Sequence, residues 1–424
     1  MSESRDRSGL HFRRRRIQAD APAFFVLLRS GAEHVPSATI ADAMRKMNRR
    51  EFLVSTSAVT LAAATTGFSA SSKQGVFVAS GTPEGIRAFD WAAGELTDAG
   101  VAAKVETVDW ICFSPDRKYL FAACEVDSFN GKPTGELASF RVADGKLEQL
   151  SGVNSASKGT CHCAIDHTGN VLISADYGGG SAASFKLTDG KLSPLVWSEH
   201  YTVHGPNPDR QEAAHAHFAS FSPDNRFAYV NDLGGDMIHI YTFSTGTAEL
   251  KRAGAYHSAP GAGPRTLHFH PNGHTAYSMN EMASSVDVLK WNKADGSLTR
   301  VNTVDLLPPN APLPDKKDAP QGNTGCDTVI TKDGRFVYFA NRGTDFLYSF
   351  KADPATGTLK PMEKTGTGGK TPRNFTLDPT EKWMLVADQN SNNLAIFARD
   401  AKTGKLANGG KKVDCPTPMC ILFG

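Results

Sequence analysis

Phe221-Ser222-Pro223-Asp224-Asn225 followed by Phe227-Ala228-Tyr229-Val230 reads as a strand end, a tight reversal and a second strand. Proline presets φ for a turn, asparagine tolerates positive φ, and the aromatic and β-branched residues that follow favour a pleated sheet. The same grammar recurs along the chain. It appears in Cys112-Phe113-Ser114-Pro115-Asp116 with Tyr119-Leu120-Phe121-Ala122, and in Ala164-Ile165-Asp166-His167-Thr168-Gly169 with Leu172-Ile173-Ser174. Downstream it returns in Phe269-His270-Pro271-Asn272-Gly273 with Ala276-Tyr277-Ser278, in Ile330-Thr331-Lys332-Asp333-Gly334 with Val337-Tyr338-Phe339, and in Leu377-Asp378-Pro379-Thr380-Glu381 with Met384-Leu385-Val386. After each hairpin comes a third strand, such as Met237–Phe243, and a turn such as Ala294-Asp295-Gly296-Ser297-Leu298 that leads to a fourth. Four antiparallel strands repeated at a period of about fifty residues are the blades of a propeller.

The expected fold is therefore all-β, a seven-bladed β-propeller of four-stranded antiparallel blades. Six anchors give six blades. Val76-Phe77-Val78-Ala79-Ser80 lacks a preceding inner strand, and the tail from about Pro416 to Phe423 supplies one. Pairing the N- and C-terminal strands completes the seventh blade and closes the ring, which removes sheet edges.

Ahead of the repeats, Met47-Asn48-Arg49-Arg50-Glu51-Phe52-Leu53 opens a short basic region, Val54 to Phe68 is apolar, and Phe68-Ser69-Ala70 offers a small-residue cleavage site. That order reads as a signal peptide, and the arginine pair before Phe52-Leu53 resembles a twin-arginine signal. Residues 1–46 are expected to be a mis-assigned upstream extension or disordered, 47–70 the twin-arginine signal peptide, and 71–424 the propeller. The export machinery is then a partner, and the destination is the periplasm or the exterior. The protein would be cytoplasmic only if the leader reading is wrong. The apolar run is too short for a stable transmembrane helix, so no stable membrane insertion is expected.

The charge is placed unevenly. Residues 1–70 hold 11 Lys/Arg and 6 Asp/Glu, leaving 35 and 38 for the remainder. The folded part lacks the basic footprint of a nucleic-acid binder. Seven cysteines exclude a complete disulfide framework, and their spacings fit no paired zinc clusters. Cys415 with Cys420 is the expected disulfide, if any forms. Neither a metal nor a cofactor is called for, and a monomer is expected. Residues 305–322, with five prolines, form a long loop that reads as a lid or an insertion.

In a hairpin, residues equally far from the turn sit side by side at its open end. Counting from each turn brings Arg265 beside Glu281, His217 beside Asp232, His162 beside Asp176, Asp327 beside Arg342 and Arg373 beside Gln389, with Glu125 from the first anchor. One rim of the ring thus collects His162, His217, Arg265, Glu281, Arg342 and Arg373 with carboxylates between them. Such a rim suits an anionic small molecule; it equally suits charge pairs that staple blade to blade.

Several stretches are similar to the propeller lactonases, a family typified by 6-phosphogluconolactonase. They are His204-Gly205-Pro206-Asn207-Pro208-Asp209-Arg210-Gln211-Glu212 with His215-Ala216-His217, Gly261-Ala262-Gly263-Pro264-Arg265 with Met279-Asn280-Glu281, Asn341-Arg342-Gly343, and Thr371-Pro372-Arg373-Asn374-Phe375. The resemblance spans about residues 75–420. It implies hydrolysis of a sugar or related anionic lactone to the open hydroxy acid. By its carboxymuconate-lactonising member it also implies an active-site set of a His, an Arg, a Glu and a second Arg, which fall on His217, Arg265, Glu281 and Arg342. On this reading His217 is the base, Glu281 orients it or the water, and Arg265 and Arg342 bind the oxyanion or an anionic substrate group. Arg373 and His162 are expected substrate contacts. A carboxymuconate-type cycloisomerase and a non-catalytic binding propeller are the alternatives. No Gly-x-Ser-x-Gly sequence supports a serine nucleophile. A Cys161–His162 pair is disfavoured because strand neighbours point to opposite faces.

Overall fold

The computed structural model describes residues 74–424 apart from residue 144, residues 309–310 and residues 312–320. The leader, its domain bounds and most of the 305–322 loop lie outside the described residues.

Seven antiparallel sheets follow one another around a ring. Their innermost strands are Val108–Phe113, Thr160–Ile165, Ala216–Phe221, Pro264–Phe269, Thr324–Ile330, Pro372–Leu377 and Pro418–Phe423, here blades 1 to 7. Each innermost strand packs on the next, and Pro418–Phe423 returns to lie against Val108–Phe113. Blade 7 takes that strand from the chain's end and the rest from its start: Val76 pairs with Phe423 and Val78 with Ile421. Blade 2 departs from the four-strand plan, its outer edge being split into Lys191–Leu192 and Trp197–His200.

The turns explain the repeat. In blade 3 the Ser222 hydroxyl accepts from the Phe227 amide at 3.0 Å while Asn225 holds φ at 58°. Ser114 and Thr331 do the same for Tyr119 and Phe336. In blades 2 and 6 an aspartate replaces the hydroxyl, with Asp166 accepting from Val171 and Asp378 from Trp383. A short polar side chain thus caps the inner hairpin in these five blades and fixes its register.

The core lies between blades. Phe121, Ala123 and Leu137 of blade 1 pack on Leu172, Ala183 and Phe185 of blade 2, and comparable layers recur around the ring. Two layers account for the cysteines at the chain's end. Cys415 is buried with Trp91 and Leu394, whereas Cys420 is buried with Val108 and Ile111. They serve different inter-blade contacts and both are free thiols, so the expected Cys415–Cys420 disulfide is not formed. The thiols that do approach are Cys112 and Cys163, on neighbouring inner strands, with sulfurs 3.7 Å apart.

Candidate functional site

Every innermost strand carries a β-bulge at the same height. The ladder skips from Val108 to Trp110, Thr160 to His162, Ala216 to Phe218, Pro264 to Thr266, Gly325 to Thr328, Pro372 to Asn374 and, on the last strand, Cys420 to Pro418. The residues left out of the ladder are Asp109, Cys161, His217, Arg265, Cys326 with Asp327, Arg373 and Met419. All of them line one small cavity on the ring axis, about 20 Å³ in volume. A bulge leaves its extra residue unpaired and re-aims the side chain. Repeating it seven times turns a ring of structural strands into a ring of channel-facing groups.

Two ion clusters stand on this ring. In the first, Glu281 follows the second strand of blade 4 and is 2% exposed. Its Oε1 accepts from Arg210 at 2.7 Å, and its Oε2 lies 2.8 Å from Arg342 Nη2 and 3.4 Å from Arg265 Nε. Burial alone would raise this carboxyl, but the Arg342 and Arg265 guanidiniums outweigh it and hold Glu281 well below the usual carboxylate range. Arg265 Nη1 donates to His217 Nε2 at 2.8 Å, and His217 Nε2 is 4.0 Å from Glu281 Oε2. Burial first, then the Arg265 charge, push His217 well below its ordinary value, so its ring is neutral. The structure therefore brings together His217, Arg265, Glu281 and Arg342.

The pairing of Arg265 and Arg342 with Glu281 is electrostatic more than directional. Arg265 Nε and Arg342 Nε and Nη2 are buried without an aligned hydrogen-bond acceptor among the described residues. Buried N–H donors are seldom left so. With the Arg265 and Arg342 guanidiniums beside a neutral imidazole, the cluster has the donors that an oxyanion or a carboxylate needs.

Arg373 belongs to the second cluster. Its Nη2 donates to both oxygens of Asp109, at 2.7 and 2.9 Å, and lies 3.9 Å from Glu125. Burial would lower this guanidinium, and Asp109 and then Glu125 more than reverse it.

His162 lies deeper than the rim count placed it. It is the residue after the bulge, sandwiched between Trp110 and Phe218 with ring centroids 4.4 and 3.9 Å away. Its Nδ1 accepts from the Ala219 amide at 3.2 Å, which puts the proton on Nε2, and Nε2 has no acceptor among the described residues. Burial and then His268 hold it neutral. Cys161 and His162 both line the cavity, because the bulge breaks the strand alternation invoked against that pair. Burial nevertheless keeps the Cys161 thiol protonated, and it donates to the His217 carbonyl at 3.4 Å.

The carboxylates expected beside the histidines are structural. Asp176 pairs with Thr160, not His162, and accepts from Ser155, Thr160 and Ser181. Asp232 accepts from the His215 and Gly235 amides. His215 stacks on Tyr177 rather than joining the site.

Residues 73–423 match the family described as lactonase, 7-bladed β-propeller. The chain is a member of the seven-bladed propeller lactonase family. A 6-phosphogluconolactonase of Bacillus subtilis is 31% identical over 348 residues, 81% of this chain and 95% of that protein. A 6-phosphogluconolactonase of Formosa agariphila is 32% identical over 336 residues, 76% of this chain and 90% of that protein. Among solved structures, the periplasmic gluconolactonase of Pseudomonas aeruginosa superimposes with a TM-score of 0.76 at 29% identity, over 83% of this chain and 99% of that one.

Sequence reasoning missed two residues of this lactonase-family channel. Arg210 reaches Glu281 from a loop, where counting along hairpins has no purchase, although it stands inside the His204–Glu212 stretch that carried the resemblance. Asp109 lies in a stretch with no motif, and its only signal is its place one residue before Trp110 at the bulge.

Proposed function

We propose that this protein hydrolyses a sugar or related anionic lactone to its open hydroxy acid. The observation that carries the reading is the pair of guanidiniums, Arg265 and Arg342, gathered by Glu281 beside neutral His217 in the lactonase fold. The names of the relatives support a lactone hydrolase. Arg210, Arg265, Arg342 and Arg373 gather at the axis, which favours a substrate carrying a carboxylate or phosphate.

A lactone carbonyl must accept water, and the developing oxyanion must be held. Arg265 and Arg342 would supply the positive charge and N–H donors for that oxygen. As Arg265 turns from His217 toward the substrate, Nε2 is released to take the proton of the attacking water, a role open only to a neutral ring. Glu281, kept ionised, holds the three guanidiniums in place and is too weak a base to compete for that proton. The leader sequence favours export, and a periplasmic setting would select a lactone without an intracellular phosphorylated origin.

The test is acid release from a panel of glucono-, 6-phosphoglucono- and muconolactones at neutral pH. Turnover is expected on at least one of them and should be lost in His217→Ala. A rate no greater than buffer on every lactone would return the channel to a binding role, with its charges as staples between blades.

A further inference from the structure

Blades 1 and 4 use the same repeat position for a glutamate. Glu125 directly follows the second strand of blade 1 as Glu281 follows that of blade 4. In both, the backbone N–H returns to a carbonyl just ahead of the inner strand, Glu125 to Thr107 and Glu281 to Gly263. The neighbouring bulge residue differs. Beside Glu281 it is Arg265; beside Glu125 it is Asp109. Two carboxyls on one ring thus meet opposite charges, and such a division of environments separates an acid from a permanently ionised group.

Resting on the lactone-hydrolase reading, we propose that Glu125 is the general acid of the reaction, giving its proton to the ring oxygen as the acyl–oxygen bond breaks. Asp109 takes both hydrogen bonds from Arg373 Nη2 while Glu125 stands 3.9 Å from it, so the proton of the pair belongs on Glu125. The Glu125 side chain is 33% exposed and lies 3.9 Å from Arg373, which with Asp109 lines the axial cavity. The charged and titratable groups facing it are Asp109, Arg373 and Arg265, with the Cys161 thiol nearby. Burial and then Asp109 push the carboxyl up to about 8, against the pull of the arginines. Two carboxyls this close share the ionisation, so that step belongs to the pair.

The step balances without any further reactant. Water adds to the carbonyl carbon and gives one proton to His217. The carbon–oxygen bond of the ring breaks, its electron pair stays on oxygen, and that oxygen takes the Glu125 proton. The product acid ionises to solvent, and the proton on His217 returns to Glu125 through water.

The experiment is a pH–rate profile of the wild type, Glu125→Gln and Asp109→Asn on the lactone turned over best, corrected for the buffer rate, with thermal melts to confirm folding. Wild-type kcat should fall on the alkaline side as Glu125 loses its proton. Glu125→Gln should lower kcat by about 100-fold or more with KM changed less than about threefold, and should lack the alkaline limb. Asp109→Asn removes the like charge and should move the limb to lower pH, a shift that a purely structural role would not produce. Should Glu125→Gln fail to fold, the limb in Asp109→Asn decides. A Glu125→Gln enzyme with the wild-type rate and limb, or an Asp109→Asn limb that stays in place, overturns the proposal while leaving the lactonase standing. A wild type inactive on every lactone overturns both.

Discussion

Glu281 is surrounded by three guanidiniums within a buried wall, and its charge is what lets Arg210, Arg265 and Arg342 share that space. Removing one partner of a buried ion cluster costs about 3–5 kcal/mol, because the remaining charges are left uncompensated. Glu281→Gln should lose roughly that much in urea unfolding and lose lactone turnover as well; wild-type stability would mean the arginines are neutralised by something else. His162 and His217 give a second prediction. Both rings are neutral in the fold, with proton affinities lowered chiefly by burial. In the unfolded chain each protonates near its ordinary value of about 6.5. Below that pH the unfolded chain binds more protons. Stability is therefore full above about 6.5 and declines as pH falls through it, by about 1.4 kcal/mol per pH unit for each such ring. Unfolding curves between about pH 7.5 and 5 should show this decline, and His162→Gln, which keeps an acceptor for the Ala219 amide, should remove one ring's share of the slope. An unchanged slope would mean that His162 can be protonated inside the fold.

Between blades, one contact recurs. Tyr229, Tyr277 and Tyr338, each on a second strand, donate their hydroxyls to the carbonyls of Gly296, Gly357 and Gly404, each in the outer turn of the following blade. The glycines are required twice over. Gly296 holds φ at 76°, and a Cβ there would stand 2.6 Å from the Phe227 ring. Gly296→Ala should cost about 1–3 kcal/mol through overpacking, and Tyr277→Phe about 1 kcal/mol through one lost hydrogen bond. Gly254→Ala, where a Cβ meets nothing within 4 Å, is the control and should stay within about 0.5 kcal/mol. Equal losses at Gly254 and Gly296 would rule out the packing explanation. The element scale also shows why the site was only partly legible. Counting residues from each turn assumes an unbroken ladder, and it put His162 on the rim in the place that Cys161 holds. A bulge has no residue signature of its own when the extra position is a histidine in one blade and a cysteine in the next. The count worked for His217, Arg265 and Arg373 because it missed by only one residue.

At the scale of the whole ring, the blade number was legible because the turn chemistry repeats, and ring closure because Val76–Ser80 had no inner partner in its own repeat. The thiol pairing was not, since Cys415 and Cys420 are close in sequence but separated by the chain's passage from one inter-blade layer to the next. Closure itself makes the last prediction. Pro418–Phe423 is the innermost strand of blade 7, touches the inner strands of blades 6 and 1, and carries Met419 into the channel. Without it, Gln74–Ser80 would expose the backbone edge and the side chains of Val76, Phe77 and Val78, all now buried. An unpaired, apolar inner edge recruits other chains. A variant ending at Cys415 should therefore elute as larger species than the intact protein or aggregate, and lose its cooperative melt. A synthetic peptide covering residues 416–424, added during refolding, should restore the elution volume and melt of the intact protein by pairing with that edge. A truncated chain that elutes and melts like the intact one would show that the six remaining inner strands close the ring unaided, and that the terminal pairing is incidental to the fold.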